Sequence, residues 1–321
     1  MTGDRPTVSV LTIAYNVAPY LAQALDSALM QATDFDYEIV VGEDCSTDQT
    51  RAILLDYARR HSRIRALLRE RNLGMNRNFI ETLGAVRGEF VALLDGDDYW
   101  TAPHKLQRQV DFLRTRPDCS ICFHNALVVY EDGSIAPHPF HMPQPTHRLS
   151  HHVPKPVSTL DDLAGGNFMQ TCSVVFRAGL YGTLPDWYAT MPTFDWPLHL
   201  LNAEHGDIGY LDEVMGVYRV RPGSFWSTDM ALYRRIEDVE SMIRAYRTVN
   251  RYTGYRFDRK IRRQVLPLYR RAAEVSLGTG AYGRAAAYSL RALLNAGVEP
   301  PGHRRQSLRL LARSLRSAVT R

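Results

Sequence analysis

The chain has 321 residues, 45% of them hydrophobic and 23% charged, with 39 Lys+Arg against 34 Asp+Glu for a net charge of +5. That length supports one large domain with an appendage, and the composition excludes a disordered or fibrous chain. No apolar run reaches the ~20 residues of a membrane span, no basic leader precedes the first strand-like stretch, and four cysteines do not read as a disulfide framework at this length, so export is not expected and a cytoplasmic location is.

Taken in order, Val8–Ala14 reads as a buried strand, followed by a loop, Tyr15 to Pro19, and a helix from Tyr20 to Met30 with Leu21, Leu25, Ala28 and Leu29 on one face. Glu38–Val41 is a second strand running into Gly42-Glu43-Asp44-Cys45-Ser46-Thr47-Asp48. A helix follows with Ile53, Leu54, Tyr57 and Ala58 on one face, then a strand over Ile64–Leu68, a helix over Asn72–Leu83 and a strand over Phe90–Leu94. Strand–helix alternation predicts a parallel sheet covered by helices, with ligands bound beyond the carboxyl ends of its strands. The acidic clusters at 43–48 and 95–98 fall there. Cys119 and Cys122 lie three apart on a predicted strand and so on opposite faces, as a buried structural pair. From 130 to 158, prolines alternate with His138, His141, His147, His151 and His152 without periodicity, which predicts a flexible lid rather than a metal site.

The charge is unevenly spread. Residues 1–228 carry 19 Lys+Arg against 27 Asp+Glu, a balance of −8, and residues 229–321 carry 20 against 7, or +13. Long arginine-rich helical patterns fill the tail. The stretch around Tyr282–Leu290 reads as the second half of a helical hairpin whose small residues allow close packing. From Arg304 to Arg321 there is no acidic residue; Leu308, Leu311, Leu315 and Val319 line one face and arginines most of the rest. This basic amphipathic helix either lies on an anionic membrane or docks on its own domain.

The most telling segment is Leu93-Leu94-Asp95-Gly96-Asp97-Asp98-Tyr99-Trp100, where an apolar strand ends in three carboxylates. Like charges so close need a positive partner. Mg²⁺ or Mn²⁺ shared with a substrate diphosphate supplies one; a solvated acidic turn is the alternative.

Six segments together resemble the family 2 glycosyltransferases of the GT-A fold, over roughly residues 6 to 228. They are Val8–Asn16, Gly42–Asp48, Asn72-Leu73-Gly74, Leu94–Asp98, Thr193-Phe194-Asp195-Trp196 and Tyr218–Ser224. The resemblance implies an α/β nucleotide-diphospho-sugar transferase fold of bacterial type: a mostly parallel sheet flanked by helices over residues 1–228, then a basic helical extension over 229–321. It further implies a metal-dependent, inverting hexosyltransferase acting in cell-surface polysaccharide synthesis. The donor would be a nucleotide-sugar, the acceptor a glycan or lipid-linked saccharide, and the cofactor Mn²⁺ or Mg²⁺. Nucleic acid is not an expected partner. Membrane contact through the last helix and oligomers through the extension remain open.

By the same resemblance, Ile13 and Tyr15 border the nucleotide, Glu43 and Asp44 hold its base and ribose, and Asn72 and Arg77 flank the nucleotide-sugar. Helix capping is the competing role for the first acidic pair, and a plain helix N-terminus for Asn72. Asp95 and Asp97, around Gly96, match the D-x-D motif, the first on ribose or sugar and the second on the metal, with Asp98 supporting the metal or the sugar. Asp195 aligns with the catalytic base, which removes a proton from the attacking hydroxyl; a helix N-cap is its alternative. The family often has an acid where Phe194 stands, and a histidine where Arg221 stands. Arg221, with Arg219 nearby, suits a diphosphate through its fork of donors. Two other readings stay open: a phosphohydrolase with Asp95 as nucleophile and Asp97 as acid, and a non-catalytic nucleotide-sugar-binding protein.

Overall fold

A computed structural model describes residues 5–145, 151–221, 235–295 and 303–319. Strand and helix alternate through the first part as the apolar pattern requires: β1 (Val8–Ala14), α1 (Ala18–Leu29), β2 (Tyr37–Glu43), α2 (Thr50–Arg60), β3 (Ile64–Leu68), α3 (Met75–Leu83) and β4 (Phe90–Leu93). β2 and β4 are buried along their whole length and β1 nearly so. Strands covered on both sides read as continuous apolar runs, not as alternating ones. Next come β5 (Tyr99–Trp100), α4 (Lys105–Thr115), β6 (Cys119–Tyr130), β7 (His138–Pro139), β8 (Val157–Ser158) and α5 (Leu160–Leu163). A 3₁₀ turn at Thr171–Ser173, β9 (Val175–Arg177), a second 3₁₀ turn at Asp186–Thr190, α6 (Asp195–Ala203) and β10 (Asp207–Val220) follow.

One sheet joins the strands in the order β3-β2-β1-β4-β9-β6-β10-β5, with β7 on β6 and β8 on β10. β3, β2, β1 and β4 pair in parallel, and so do β6 and β10. The antiparallel pairings run over only two or three residues each. The sheet is therefore mixed, with its long pairings parallel as expected. Because β1, β2 and β4 run the same way, the loops after Ala14, Glu43 and Leu93 emerge at one edge.

Two expectations change here. α3 begins at Met75, not Asn72: Gly74 has φ +82°, outside helical space, and Asn72 turns its side chain back to the Asp44 carbonyl at 3.1 Å. The 130–158 stretch, of which 146–150 lie outside the described residues, contains β7 and β8 instead of being irregular throughout. Asn125 donates to the His141 carbonyl and accepts from its N–H, both at 2.9 Å, and His138 and His141 are buried. Cys119 and Cys122 are both buried and free, as expected of a structural pair.

The chain forms two compact units. One runs to Leu163 and from Phe168 to Arg221; the other comprises Ala164–Asn167 and the chain after Arg221. The expected division at 228 lies outside the described residues. The second unit contains α7 (Ile236–Tyr252), α8 (Asp258–Gly278), α9 (Tyr282–Asn295) and α10 (His303–Val319). α9 buries Ala285, Tyr288, Ser289 and Ala292, small residues that permit the close packing expected of a hairpin. The inward face of α10 is Ser307, Leu310 and Ser314, with Ser314 Oγ 3.5 Å from Ser289 Oγ. The expected leucine row is not that face: Leu308 and Leu315 are exposed, because serines admit a closer helix approach than leucines do, and Val319's side chain is outside the described residues.

Candidate active site

The site is built where β4 ends. Leu94 continues the ladder by donating to the Leu11 carbonyl at 3.0 Å, and Gly96 donates to the Ile13 carbonyl at 3.2 Å. A side chain at 96 would sit 3.1 Å from both the Ile13 oxygen and Val17 Cγ2, so glycine lets the turn lie against β1. Asp98 N–H closes the turn on the Asp95 carbonyl at 3.1 Å. Asp95 and Asp97 are left half-buried, while Asp98 points inward and is only 2% exposed.

These carboxylates hold more negative charge than their surroundings neutralise. The Asp95 carboxyl is pushed well above the usual range by burial, then by the charges of Asp97 and Asp195, against a hydrogen bond from Thr171. Asp98 is raised by burial and by Asp97 and Asp95, against the Arg219 N–H that reaches Asp98 Oδ1 at 2.8 Å. The Cys172 thiol also lowers it by a hydrogen bond to the carboxyl, while no N–H or hydroxyl among the described residues reaches Asp98 Oδ2. Asp97 accepts from Arg221 Nε at 2.6 Å. Tyr218 beneath them has its phenol raised by burial and by all three acids.

Asp195 reaches this cluster from far along the chain. It is the first residue of α6, and the N-cap position belongs to Phe194, so the capping alternative does not describe it. Phe194 is fixed on two sides: its ring stacks on Phe79 of α3 with centroids 4.3 Å apart, and its carbonyl accepts from Tyr188 OH at 2.6 Å. Trp196 Nε1 donates to the Leu163 carbonyl at 3.1 Å. The backbone on either side of Asp195 is thus anchored, and its charge acts on both Asp95 and Tyr188. The apolar residue in place of the second acid serves as the wedge that holds α6 against α3.

The other expected residues have mixed placements. Glu43 is wholly buried and accepts from Ser46 N–H at 2.6 Å and from Arg51. Asp44, 2% exposed, accepts from Leu73 and Gly74 N–H at 2.7 and 2.9 Å. Both shape the loops at the sheet edge, and a base or ribose would have to share oxygens already engaged. Asn72 is exposed beside this junction, and Tyr15 is exposed on the β1–α1 loop. Arg77 points outward and pairs with Glu81 at 3.2 Å, one helical turn away, so nothing holds it toward the carboxylates. Arg219 is buried among Gln23 (2.7 Å), Glu131 (3.4 Å) and the rings of Tyr20 and Tyr99, which makes it a strut behind Arg221. Thr171 and Tyr218 join the site without having been expected in it by role; Tyr218 opens the matching Tyr218–Ser224 segment.

An oxygen-only donor set with excess negative charge among the described residues fits a hard divalent cation. Asp97 would be its accessible ligand. Asp98, expected as a second one, is turned inward. Among the described residues no group of three or more His, Cys, Asp or Glu could hold an ion alone, so further oxygens would have to come from a bound diphosphate. The histidines at 138 and 141 bond backbone carbonyls instead.

Comparison with known proteins bears on the family and the fold. The sequence profile of Glycosyl transferase family 2 fits residues 9–177, more than half of the chain. An uncharacterised protein of Mycobacterium tuberculosis is 39% identical over 221 residues, which are 68% of this chain and 60% of that protein; the chain thus spans less than two thirds of that relative. TuaG of Bacillus subtilis, whose name assigns it to teichuronic acid biosynthesis as a glycosyltransferase, is 34% identical over 144 residues, or 45% and 56% of the two chains. Among solved structures, Staphylococcus aureus TarS with UDP-GlcNAc aligns over 98% of this chain and 92% of its own at TM-score 0.55 and 17% identity. A Pyrobaculum calidifontis mannosyltransferase with GDP-Man and Mn²⁺ aligns over 99% and 87%, also at 0.55 and 17%. At such identities the structures show a shared fold, and with the sequence match the conclusion is that this chain belongs to glycosyl transferase family 2.

Proposed function

We propose that the chain transfers a sugar from a nucleotide-diphospho-sugar to an acceptor hydroxyl with inversion at the anomeric carbon. The observation that carries this is that Asp195, on its anchored helix start, lies near enough to Asp95 for its charge to act on that carboxyl. A donor diphosphate placed at Asp97 and Arg221 leaves Asp195 as the carboxylate facing the reacting sugar. Asp195 accepts the proton of the acceptor hydroxyl as that oxygen bonds to the anomeric carbon. The bond from that carbon to the diphosphate oxygen breaks, and the nucleoside diphosphate leaves with the electron pair. Arg221, always cationic, turns from Asp97 toward the departing phosphates. A divalent cation on Asp97, when bound, neutralises charge that develops on the leaving diphosphate. Asp95, kept from full ionisation by burial and its neighbours, is placed to hydrogen-bond sugar or ribose hydroxyls.

UDP- and GDP-sugars are the first donors to test, because the proteins sharing the fold bind UDP-GlcNAc and GDP-Man. A glycan or lipid-linked saccharide on the cytoplasmic side of a membrane is the proposed acceptor. The test screens nucleotide-sugars with Mn²⁺ by thermal shift, then follows nucleoside diphosphate release and sugar transfer to lipid extracts. Asp195→Asn is expected to keep donor affinity within a few-fold while transfer falls by roughly 10² or more. Equal loss of donor binding and transfer in this variant overturns the assignment of the base.

A further inference from the structure

The last two helices present a surface that the transfer reaction does not use. α9 and α10, joined by a seven-residue connection, pair as antiparallel neighbours and meet at Ser289 and Ser314. Each residue along a helix turns by about 100°, and on an antiparallel pair the residues following two facing positions swing to the same side. Leu290 and Leu315 therefore share one side of the pair, and Leu294 and Leu308, about a turn or two away along each helix, join them. These four leucines are 47%, 52%, 71% and 50% exposed. Tyr288, one residue the other way, stacks on Tyr269 of α8 with centroids 6.2 Å apart, so the leucine side faces away from α8.

The charge around this apolar side has one sign. Neither helix contains an acidic residue, and together they carry seven arginines, of which Arg305 and Arg309 are exposed beside Leu308. We propose that the α9–α10 face docks on an anionic lipid surface, the leucines entering the acyl boundary and the arginines meeting headgroup phosphates. A second copy of the chain fits less well. Two such faces brought together would bury arginines against arginines with no carboxylate between them, and like charges across an interface are costly. The inference goes beyond the proposed transfer reaction and stands or falls without it.

Co-sedimentation of the full chain with vesicles tests it, comparing phosphatidylcholine alone with phosphatidylcholine containing phosphatidylglycerol. Pelleting with the anionic vesicles at low salt, reversed by raised salt, is the expected result. Arg305→Gln with Arg309→Gln is expected to lower partitioning roughly ten- to thirtyfold, at about 1 kcal/mol for each basic residue near the surface. Leu308→Asn with Leu315→Asn is expected to abolish pelleting while leaving donor binding unchanged and lowering the melting temperature only slightly, since each side chain is about half exposed. Absence of pelleting at low salt, equal pelleting on neutral vesicles, or undiminished pelleting of the leucine variant overturns the proposal. So does self-association, seen by analytical ultracentrifugation, that the leucine changes abolish.

Discussion

Replacing Arg221 by glutamine isolates the electrostatics of the site. Arg221 Nε lies 2.6 Å from Asp97 Oδ2, with the two side chains 21% and 19% exposed. A hydrogen bond to a charged group contributes roughly 1.5–3 kcal/mol. The full Coulomb attraction at an effective dielectric of 20 would be about 4 kcal/mol at 4 Å, reduced here by solvent at the partly open pair. A loss of about 2–3 kcal/mol at neutral pH follows. At ~2–4 °C per kcal/mol for a unit of this size, the melting temperature falls by about 4–12 °C. Stability also depends on pH. Asp95 and Asp98 have folded-state pKa values raised above the unfolded ones. The proton they retain on folding therefore stabilises the native state at low pH, and that contribution is lost as pH rises from the ordinary carboxylate range toward the raised values. Differential scanning fluorimetry with EDTA or Mn²⁺ reads all of this, and Mn²⁺ is expected to raise the variant's melting temperature more than the wild type's. An unchanged melting temperature with EDTA, or equal Mn²⁺ shifts in the two proteins, refutes the reasoning.

Asp97→Asn is expected to abolish the tightening of nucleoside diphosphate binding by Mn²⁺; calorimetry giving the same affinity with EDTA as with Mn²⁺ in the wild type removes the metal from the scheme. Lys105 is wholly buried over the Trp100 ring, 4.0 Å from its centroid, and burial lowers its pKa to about 7. Below that value the folded state carries the full penalty of a buried ammonium, and stability recovers as pH rises from about 7 toward the unfolded value of 10.5. Lys105→Met is accordingly expected to stabilise by a few kcal/mol at pH 6, at about 1.4 kcal/mol per pKa unit, and by less at pH 9; urea unfolding at both pH values checks it.

What the sequence displayed was whatever is local. β4 and its acidic end were legible because five apolar residues run directly into three carboxylates, and Asp195 stood out through the segment that contains it. Its approach to Asp95 was not legible from spacing, since the two are a hundred residues apart and meet only after α6 is wedged by Phe79, Phe194 and Tyr188. Glu43 and Asp44 show the converse limit. A carboxylate in a loop has the same sequence signature whether it faces a ligand or, as here, satisfies Ser46, Leu73 and Gly74 N–H groups. In α10 the pattern left the leucine row open between a membrane and the chain's own domain; the helix packs inward through Ser307, Leu310 and Ser314 and leaves Leu308 and Leu315 exposed.

The arginine in place of a histidine at 221 bears on how the site meets its donor. Asp97 and Asp195 act on Asp95, and Asp97 and Asp95 on Asp98, and Arg221 is paired with Asp97. A nucleoside diphosphate would add about two further negative charges, while a guanidinium carries only one positive charge and cannot ligate a metal. If Arg221 stays on Asp97, the diphosphate meets uncompensated carboxylates; if it moves to the phosphates, Asp97 loses its partner. A divalent cation held by Asp97 would supply the missing positive charge and leave the guanidinium free for the leaving group. Donor and metal binding should therefore be strongly cooperative in this chain. Each is expected to tighten the other by the same factor, and Arg221→Gln should reduce that factor, because transfer of the guanidinium from Asp97 to the phosphates is part of what couples the two ligands. A thermodynamic cycle of Mn²⁺ and nucleoside diphosphate titrations in both proteins measures it, and independent binding in the wild type would show that Arg221 alone balances the site.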